Sequence, residues 1–114
     1  MTRKVLLVSN DKGFKDFIHI ATLTLTKLNH QITITEDKLD GHIDWMIVDM
    51  DTDTEGNIAF ILESRKSELN QKRKIVSVLS NVTDEIKERL FKSGCDSIMT
   101  KKEFQAVANN ILIF

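Results

Sequence analysis

The sequence contains no proline, a single cysteine and no long apolar run, and each of these absences excludes a class of protein. Without proline, repeats or low-complexity segments, nothing marks an internal linker, so residues 1–114 are expected to form one domain. Cys95 has no second cysteine with which to form an internal disulfide, which favours a cytoplasmic protein. No run approaches the roughly 20 apolar residues that span a bilayer, and no signal peptide precedes Val5.

The charges of the chain nearly cancel, although charged residues make up 29% of it. The net charge of −1 argues against nucleic acid or a membrane surface as an electrostatically driven partner. His19, His30 and His42 are scattered and have no metal-ligand spacing. The composition is therefore that of an ordinary soluble globular protein.

Residues 44–56 are the stretch around which the chain is organised. Residues 45–48 form an uninterrupted apolar run, typical of a strand buried on both faces, which ends at Asp49. Three more acids follow at positions 51, 53 and 55. Because ligands bind outside the carboxyl ends of strands in open α/β sheets, Asp49 is a candidate site residue. Considered alone, the stretch could equally be an acidic loop that ends a strand in water.

Further strand patterns alternate with amphipathic helices, which predicts an α/β fold with a doubly wound, five-stranded parallel sheet. The expected strands lie near residues 4–8, 31–35, 45–48, 75–79 and 97–100. Right-handed crossovers would bring all their carboxyl ends to one edge of the sheet. Residues 36–43 leave room for one helical turn or none, so the second helix is expected to be short or missing. The helices are expected to turn Phe14, Phe17, Ile18, Ala21, Leu25 and Leu28, then Ile86, Leu90 and Phe91, then Phe104, Val107, Ala108 and Ile111 toward the core.

Two stretches allow alternative interpretations. Residues 22–26 and 31–35 both alternate with a period of two, so a hairpin through Asn29 and His30 competes with a helix to about residue 28 followed by a strand. We prefer the helix and the strand. The basic run at residues 71–74 is expected to be a solvated connection, with a docking patch as the alternative.

Polar residues stand at the predicted carboxyl ends of four strands. They are Ser9, Asn10 and Asp11 after the first strand, Asp49 after the third, Ser80 and Asn81 after the fourth, and Lys101 after the fifth. An aspartate, a hydroxyl and a lysine at one edge can take up a phosphoryl group. The carboxylate attacks phosphorus, the hydroxyl and ammonium hold the phosphoryl oxygens, and a hard cation offsets the charge.

These motifs resemble the receiver domain of bacterial response regulators of the chemotaxis-regulator type. The resemblance covers essentially the whole chain. It is carried by Ile47-Val48-Asp49, by Val78-Leu79-Ser80 and by the run Ser93-Gly94-Cys95-Asp96-Ser97-Ile98-Met99-Thr100-Lys101. It implies a flavodoxin-like sheet with strand order 2-1-3-4-5. It also implies a phosphoacceptor in a two-component phosphorelay rather than an enzyme, with at most self-phosphorylation from small donors and autodephosphorylation.

The resemblance also implies a role for each site residue. Asp49 would be the phosphoacceptor, Ser80 the switch hydroxyl and Lys101 the salt-bridging lysine. Asn10 and Asp49 would bind Mg²⁺ through their side chains and Asp51 through its backbone carbonyl, with Asp11 as a further candidate ligand. Asp51 has no evident reason to face Lys101, because it lies past the end of the strand.

The implied partners are a histidine kinase or phosphotransfer protein and an output protein or domain. The output would be reached through the face built by the fourth helix of the family, the last strand and the last helix. A homodimer also fits the resemblance, whereas direct contact with nucleic acid or a membrane does not.

Four positions depart from the family pattern. Ser9 and Asn10 stand where two acids normally end the first strand, which predicts weak Mg²⁺ binding. Ile98 replaces the usual aromatic switch residue, and Lys102 replaces the proline after the lysine. A pseudo-receiver, which keeps the fold as a docking module without phosphotransfer, is therefore the main alternative.

Two other classes fit less well. Asp49-Met50-Asp51-Thr52 also resembles the DxDx motif of haloacid-dehalogenase-type phosphatases, which need a further acidic pair beyond the lysine to hold Mg²⁺. Residues 102–114 contain only one acid, Glu103. A flavin-binding module would need a hydroxyl- and glycine-rich loop after the first strand, and residues 9–14 offer one glycine.

Overall fold

The computed structural model describes residues 2–38, 42–66 and 73–113. Strands and helices alternate along most of the chain, as the sequence predicts. In order they are β1 (Thr2–Val8), α1 (Lys12–Lys27), β2 (Gln31–Thr35), β3 (Trp45–Asp49), α2 (Thr54–Lys66), β4 (Lys74–Leu79), α3 (Asp84–Ser93), β5 (Ser97–Thr100) and α4 (Lys101–Ile113). Within these residues no helix combines the length and apolar character needed to cross a bilayer.

The five strands form one sheet in the order β2-β1-β3-β4-β5, and all four neighbouring pairs are parallel. This confirms the predicted flavodoxin-like α/β fold. Four helices are present among the described residues, and none joins β2 to β3. The expected loss of the second helix is therefore confirmed for residues 36–38, 42 and 43, while residues 39–41 lie outside the described part. The parallel order brings the carboxyl ends of all five strands to one edge.

The three central strands are buried on both faces because a helix layer covers each side. Their alternate residues belong to two core clusters: Val5, Leu7, Ile47, Val76 and Val78 lie on the face under α1 and α4, and Leu6, Val8, Met46, Val48 and Ile75 lie on the face under α2 and α3. Each fully buried side chain of this size contributes about 1.5–3 kcal/mol to folding. The edge of the sheet near Asp49 is thus held on a rigid framework.

The alternating pattern of β2 follows from the missing helix. Ile32 and Ile34 pack on the core cluster of α1, whereas Gln31 and Thr33 are exposed. A strand with only one covered face needs apolar residues at every second position. The period-two signal that suggested a hairpin belongs to a one-sided edge strand.

Helix α1 tolerates a threonine-rich segment, so the hairpin alternative is wrong. The hydroxyls of Thr22, Thr24 and Thr26 each donate to the carbonyl four residues earlier, at 2.9, 3.1 and 2.9 Å. This bonding keeps the hydroxyls satisfied inside the helix. The periodicity of α1 buries its apolar face, which outweighs the β preference of the threonines.

Three expected core residues are exposed. Leu28 is 63%, Phe91 48% and Val107 38% exposed. Leu28 is the C-cap of α1 and lies beyond its apolar stripe. Successive helical residues are about 100° apart, so burying Leu90 and Ala108 turns their neighbours Phe91 and Val107 outward.

The basic run before β4 is described only in part. Gln71 and Lys72 lie outside the described residues, and Lys74 is exposed as expected of a solvated connection. Arg73 departs from that expectation because it is buried, at 4% exposure, and its guanidinium donates to Ser64 Oγ at 3.3 Å.

Candidate functional site

Asp49 is the last residue of β3 and has no solvent exposure. Its backbone carbonyl accepts a hydrogen bond from Asn57 Nδ2 at 2.8 Å, and the Met50 amide bonds the Val78 carbonyl at 2.9 Å. The strand end is therefore fixed by its neighbours. A buried carboxylate is costly unless charged or polar groups satisfy it, so its contacts define the chemistry of the site.

Three groups of the protein satisfy the Asp49 carboxylate. Ser9 Oγ donates to Oδ2 at 2.7 Å, the Asp51 amide donates to Oδ1 at 3.1 Å, and Lys101 Nζ lies 3.1 Å from Oδ1. The Ser9 hydroxyl in turn accepts from the Asp11 amide at 3.0 Å. These contacts satisfy both carboxylate oxygens and hold the group in one orientation.

Lys101 is the first residue of α4 and lies beside three acids. Its Nζ is 3.0 Å from Asp51 Oδ2, 3.1 Å from Asp49 Oδ1 and 3.4 Å from Asp11 Oδ2. Burial lowers the pKa of Lys101, but the hydrogen bonds that it donates to Asp51 and Asp49 outweigh that effect and raise the pKa. The side chain is therefore a fixed cation between the ends of β1, β3 and β5.

The Asp51 side chain belongs to the site, although the sequence does not predict it there. Its carboxylate accepts from the Ser80 amide at 3.1 Å to each oxygen and from the Ser80 hydroxyl at 2.7 Å to Oδ2. Burial raises the pKa of Asp51, but the bonds from Ser80 and Lys101 outweigh it and lower the pKa. The resemblance implies only a backbone role for this residue, because its side chain lies past the end of β3.

Ser80 follows β4 directly and is exposed. Its hydroxyl is bonded to Asp51 and not to Asp49. The structure therefore brings Asp49 and Lys101 into direct contact as the sequence suggests, whereas Ser80 reaches them through Asp51. Asn81, the next residue, is also exposed.

Asp11 and Asn10 lie on the β1 side of the site. Asp11 Oδ1 caps α1 by accepting from the Phe14 amide at 3.3 Å, while Oδ2 faces Lys101. The Phe14 amide and Lys101 both lower the pKa of Asp11. Asn10 is exposed and lines a cleft of about 180 Å³ together with Ser9 and Asn57, which both bond Asp49.

The oxygen donors that the resemblance names as metal ligands suit a weakly held hard cation. No group of three or more His, Cys, Asp or Glu side chains is arranged for a metal within the described ranges 2–38, 42–66 and 73–113. The candidate donors are one carboxylate from Asp49, the neutral amide of Asn10 and the backbone carbonyl of Asp51. Mg²⁺ takes oxygen ligands of these kinds and keeps several waters, so the set fits the ion but carries little charge to hold it.

The sequence matches no protein-family model and no curated protein. Solved structures do match. A response regulator from Hahella chejuensis has 19% identity and a TM-score of 0.78, covering 97% of this chain and 92% of that one. The phosphorylated cyanobacterial phytochrome response regulator RcpA has 12% identity and a TM-score of 0.77, covering 97% and 91%. The Mn²⁺-bound response regulator Rcp1 has 12% identity and a TM-score of 0.72, covering 96% and 91%.

These structures match this chain over nearly its whole length while differing from it in most residues. Their similarity therefore concerns the fold, and together with the observed 2-1-3-4-5 sheet it identifies the architecture. The chain has the receiver-domain fold of response regulators.

Proposed function

We propose that this chain is a phosphoacceptor receiver domain of a two-component or phosphorelay system, with Asp49 as the acceptor. The proposal is supported above all by the contact between Asp49 and Lys101, 3.1 Å apart at the carboxyl edge of a receiver-type sheet. Asp49 is the only acid of the cluster that is fully buried, and its strand end is fixed by Asn57. A rigidly held carboxylate beside an ammonium group is suited to attack phosphorus.

The proposed reaction is a single transfer. A carboxylate oxygen of Asp49 attacks phosphorus in the donor, and a new P–O bond forms as the bond from phosphorus to the donor nitrogen or oxygen breaks. The leaving atom keeps the electron pair of that bond and takes up a proton. In this proposal Lys101 offsets the charge on the phosphoryl oxygens, and the Ser80 hydroxyl would donate to one of them.

We further propose that Mg²⁺ binds weakly beside Asp49. The Asp49 carboxylate, the Asn10 amide oxygen and the Asp51 carbonyl would hold it, with Asp11 as a further candidate. When bound, the ion supplies positive charge that offsets that of the phosphoryl group. The Mn²⁺-bound form of Rcp1, which has a similar fold, supports the binding of a divalent ion. Weak binding is expected because Ser9 and Asn10 add no charge.

The proposed partners follow from the same function. A histidine kinase or phosphotransfer protein would supply the phosphoryl group, in the cytoplasm. An output protein or domain, or a second copy of the chain, would contact the face formed by α3, β5 and α4. The domain itself is an acceptor and not an enzyme in this proposal.

Incubation with acetyl phosphate and Mg²⁺, followed by intact mass measurement, tests the acceptor. We expect an adduct of about 80 Da, the mass of HPO₃, in the wild type and none in Asp49→Asn. Asp53→Asn is the matched control. Asp53 lies in the same loop and caps α2 by accepting from the Gly56 amide at 3.1 Å, a role that asparagine also performs. An adduct that persists in Asp49→Asn would contradict the assignment.

The alternative is a pseudo-receiver that docks partners without phosphotransfer. It is favoured by one observation: Asp51 already binds the Ser80 hydroxyl and the Lys101 ammonium. Absence of an adduct at any Mg²⁺ concentration, in a protein that remains folded, would support this alternative.

A further inference from the structure

The groups that would receive the phosphoryl oxygens are already occupied by a side chain of the protein. Asp51 Oδ2 accepts the Ser80 hydroxyl at 2.7 Å and the Ser80 amide at 3.1 Å, and it lies 3.0 Å from Lys101 Nζ. A single anionic oxygen thus collects a hydroxyl, a backbone amide and an ammonium group. This is the donor set expected around an oxygen of a phosphoryl group on Asp49.

The position of Asp51 beside the acceptor supports the same conclusion. Its own amide donates to Asp49 Oδ1 at 3.1 Å, and Lys101 bridges the two carboxylates. The Asp51 carboxylate therefore lies next to the acceptor, on the side where Ser80 and Lys101 meet. An incoming phosphoryl group is also anionic, so it would meet both a filled set of donors and a like charge.

The contact can open without disturbing the rest of the site. The Asp51 side chain is 33% exposed, whereas its amide, which orients Asp49, belongs to the backbone. Rotation of the side chain toward solvent would free Ser80 and Lys101 and leave β3 in place. Hydrogen bonds from Ser80 and Lys101 hold the pKa of Asp51 below its usual range despite its burial, so the side chain is ionised at neutral pH.

We propose that the Asp51 carboxylate occupies the phosphoryl-oxygen site in cis and restrains phosphorylation of Asp49 until it swings out. This inference rests on the proposed function, since it names a regulator of the same acceptor. The side chain acts as an internal competitor: the donor must displace it before Ser80 and Lys101 can hold the transferred group. A domain of this kind reacts slowly with small phosphodonors. A partner protein, or loss of the contacts that Asp51 makes with Ser80 and Lys101, is needed to open the site.

The test compares the rate of phosphorylation by acetyl phosphate in the wild type, Asp51→Ala, Asp51→Asn and Asp53→Asn, followed by intact mass. Asp51→Ala frees both donors, and we expect a rate roughly ten- to hundred-fold higher, as for the loss of one or two charge-assisted hydrogen bonds. Asp51→Asn keeps an acceptor oxygen without charge and should be intermediate. Asp53→Asn removes a charge from the same loop and should be phosphorylated at the wild-type rate. This control separates the effect of the Asp51 contact from that of a general change in charge.

A second measurement does not depend on phosphorylation. The Ser80 amide donates to both Asp51 oxygens, so its hydrogen exchange should be at least ten-fold faster in Asp51→Ala than in the wild type or in Asp53→Asn. Circular dichroism establishes that each variant is folded, and Asp51→Asn replaces Asp51→Ala if the latter is not.

The outcomes separate the two proposals. An adduct that forms equally fast in the wild type and in Asp51→Ala would overturn the inferred restraint and leave the acceptor function standing. Faster adduct formation in Asp51→Ala alone supports both. If neither protein forms an adduct, the acceptor function is overturned. The hydrogen exchange of the Ser80 amide then tests the contact between Asp51 and Ser80 by itself. An unchanged exchange rate in Asp51→Ala would contradict that contact.

Discussion

Thr100 and Glu103 each bind the backbone amide of the other residue. Thr100 Oγ1 accepts from the Glu103 amide at 3.0 Å, and Glu103 Oε1 accepts from the Thr100 amide at 3.1 Å. This is a capping box, and it fixes the first turn of α4. Lys101 lies between the two residues, so the same pair that starts the helix also positions the ammonium group beside Asp49.

Loss of this cap should weaken both the helix and the site. We expect Thr100→Ala to lower the free energy of unfolding by about 1 kcal/mol, the usual cost of removing an N-cap side chain. Glu103→Gln is the matched control, because glutamine also serves in capping boxes. Urea unfolding of the two variants and the wild type measures the effect. Equal destabilisation by both substitutions would mean that the charge of Glu103 also stabilises this turn. Unchanged stability in Thr100→Ala would contradict the contribution of the cap.

The acid side of the stability profile should depend on Asp51. Its pKa lies below the ordinary aspartate value of 3.8, because hydrogen bonds from Ser80 and Lys101 outweigh its burial. A carboxyl whose pKa is lower in the folded state stabilises the fold above its unfolded pKa. This contribution is lost as the pH falls below 3.8 and through the folded pKa.

Urea unfolding between about pH 5 and about pH 2.5 measures this loss. We expect the free energy of unfolding to fall less steeply in Asp51→Asn than in the wild type, since asparagine does not titrate. Asp11 also has a lowered pKa and faces Lys101, so part of the slope should persist in the variant. Parallel profiles for the two proteins would show that the charge of Asp51 does not stabilise the folded state.

A structural change on activation should travel through the segment after β4. Ile98 is partly buried and packs on the core cluster under α2 and α3, so no aromatic ring there can move between buried and exposed positions. We expect amide shifts on adding beryllofluoride with Mg²⁺ to cluster at residues 80–84 and on the α3, β5 and α4 face. Shifts confined to Asp49 and its immediate neighbours would mean that the site is not connected to that face.

Much of the candidate site follows from one rule, that the carboxyl ends of parallel strands meet at the same edge of the sheet. Parallel order alone was enough to expect Asp49, at the end of β3, to meet Lys101, after β5, and the two are in contact. The expected loss of the second helix followed from the length of a single segment. These features depend on periodicity and topology, which the order of apolar and polar residues records.

The side chain of Asp51 could not be placed in the same way. Past the end of β3 its direction is set by a local turn, in which its amide bonds Asp49 Oδ1 and Thr52 Oγ1 bonds the Asp49 carbonyl at 3.2 Å. Aspartate and threonine favour turns of this type, but the pattern does not reveal which way the next carboxylate points. The exposure of Phe91 could not be predicted for a comparable reason. Helix α3 has only ten residues, so its sequence does not show which face is buried until one buried residue is known.

The last prediction concerns Ser9 as a lost metal ligand. Its hydroxyl donates to Asp49 Oδ2 at 2.7 Å. The resemblance to receiver domains leads us to expect an acid at this position. For two unit charges at 4 Å, an effective dielectric of 20 gives about 4 kcal/mol before desolvation. Mg²⁺ keeps several waters and can contact a restored acid through one of them, so the net gain is smaller. We expect Ser9→Asp to bind Mg²⁺ roughly ten- to thirty-fold more tightly than the wild type.

The same substitution should destabilise the domain when Mg²⁺ is absent. Asp49 would lose a hydrogen-bond donor and gain a repelling carboxylate, so the midpoint of urea unfolding should fall without Mg²⁺ and recover when it is added. Ser9→Asn has the size of the aspartate variant without its charge, and it should gain no affinity for Mg²⁺. Titration of Mg²⁺ into the three proteins decides the matter. Equal affinities for Ser9→Asp and the wild type would show that Asp11 or Asp51 already fills the missing role, and that Ser9 does not mark a lost ligand.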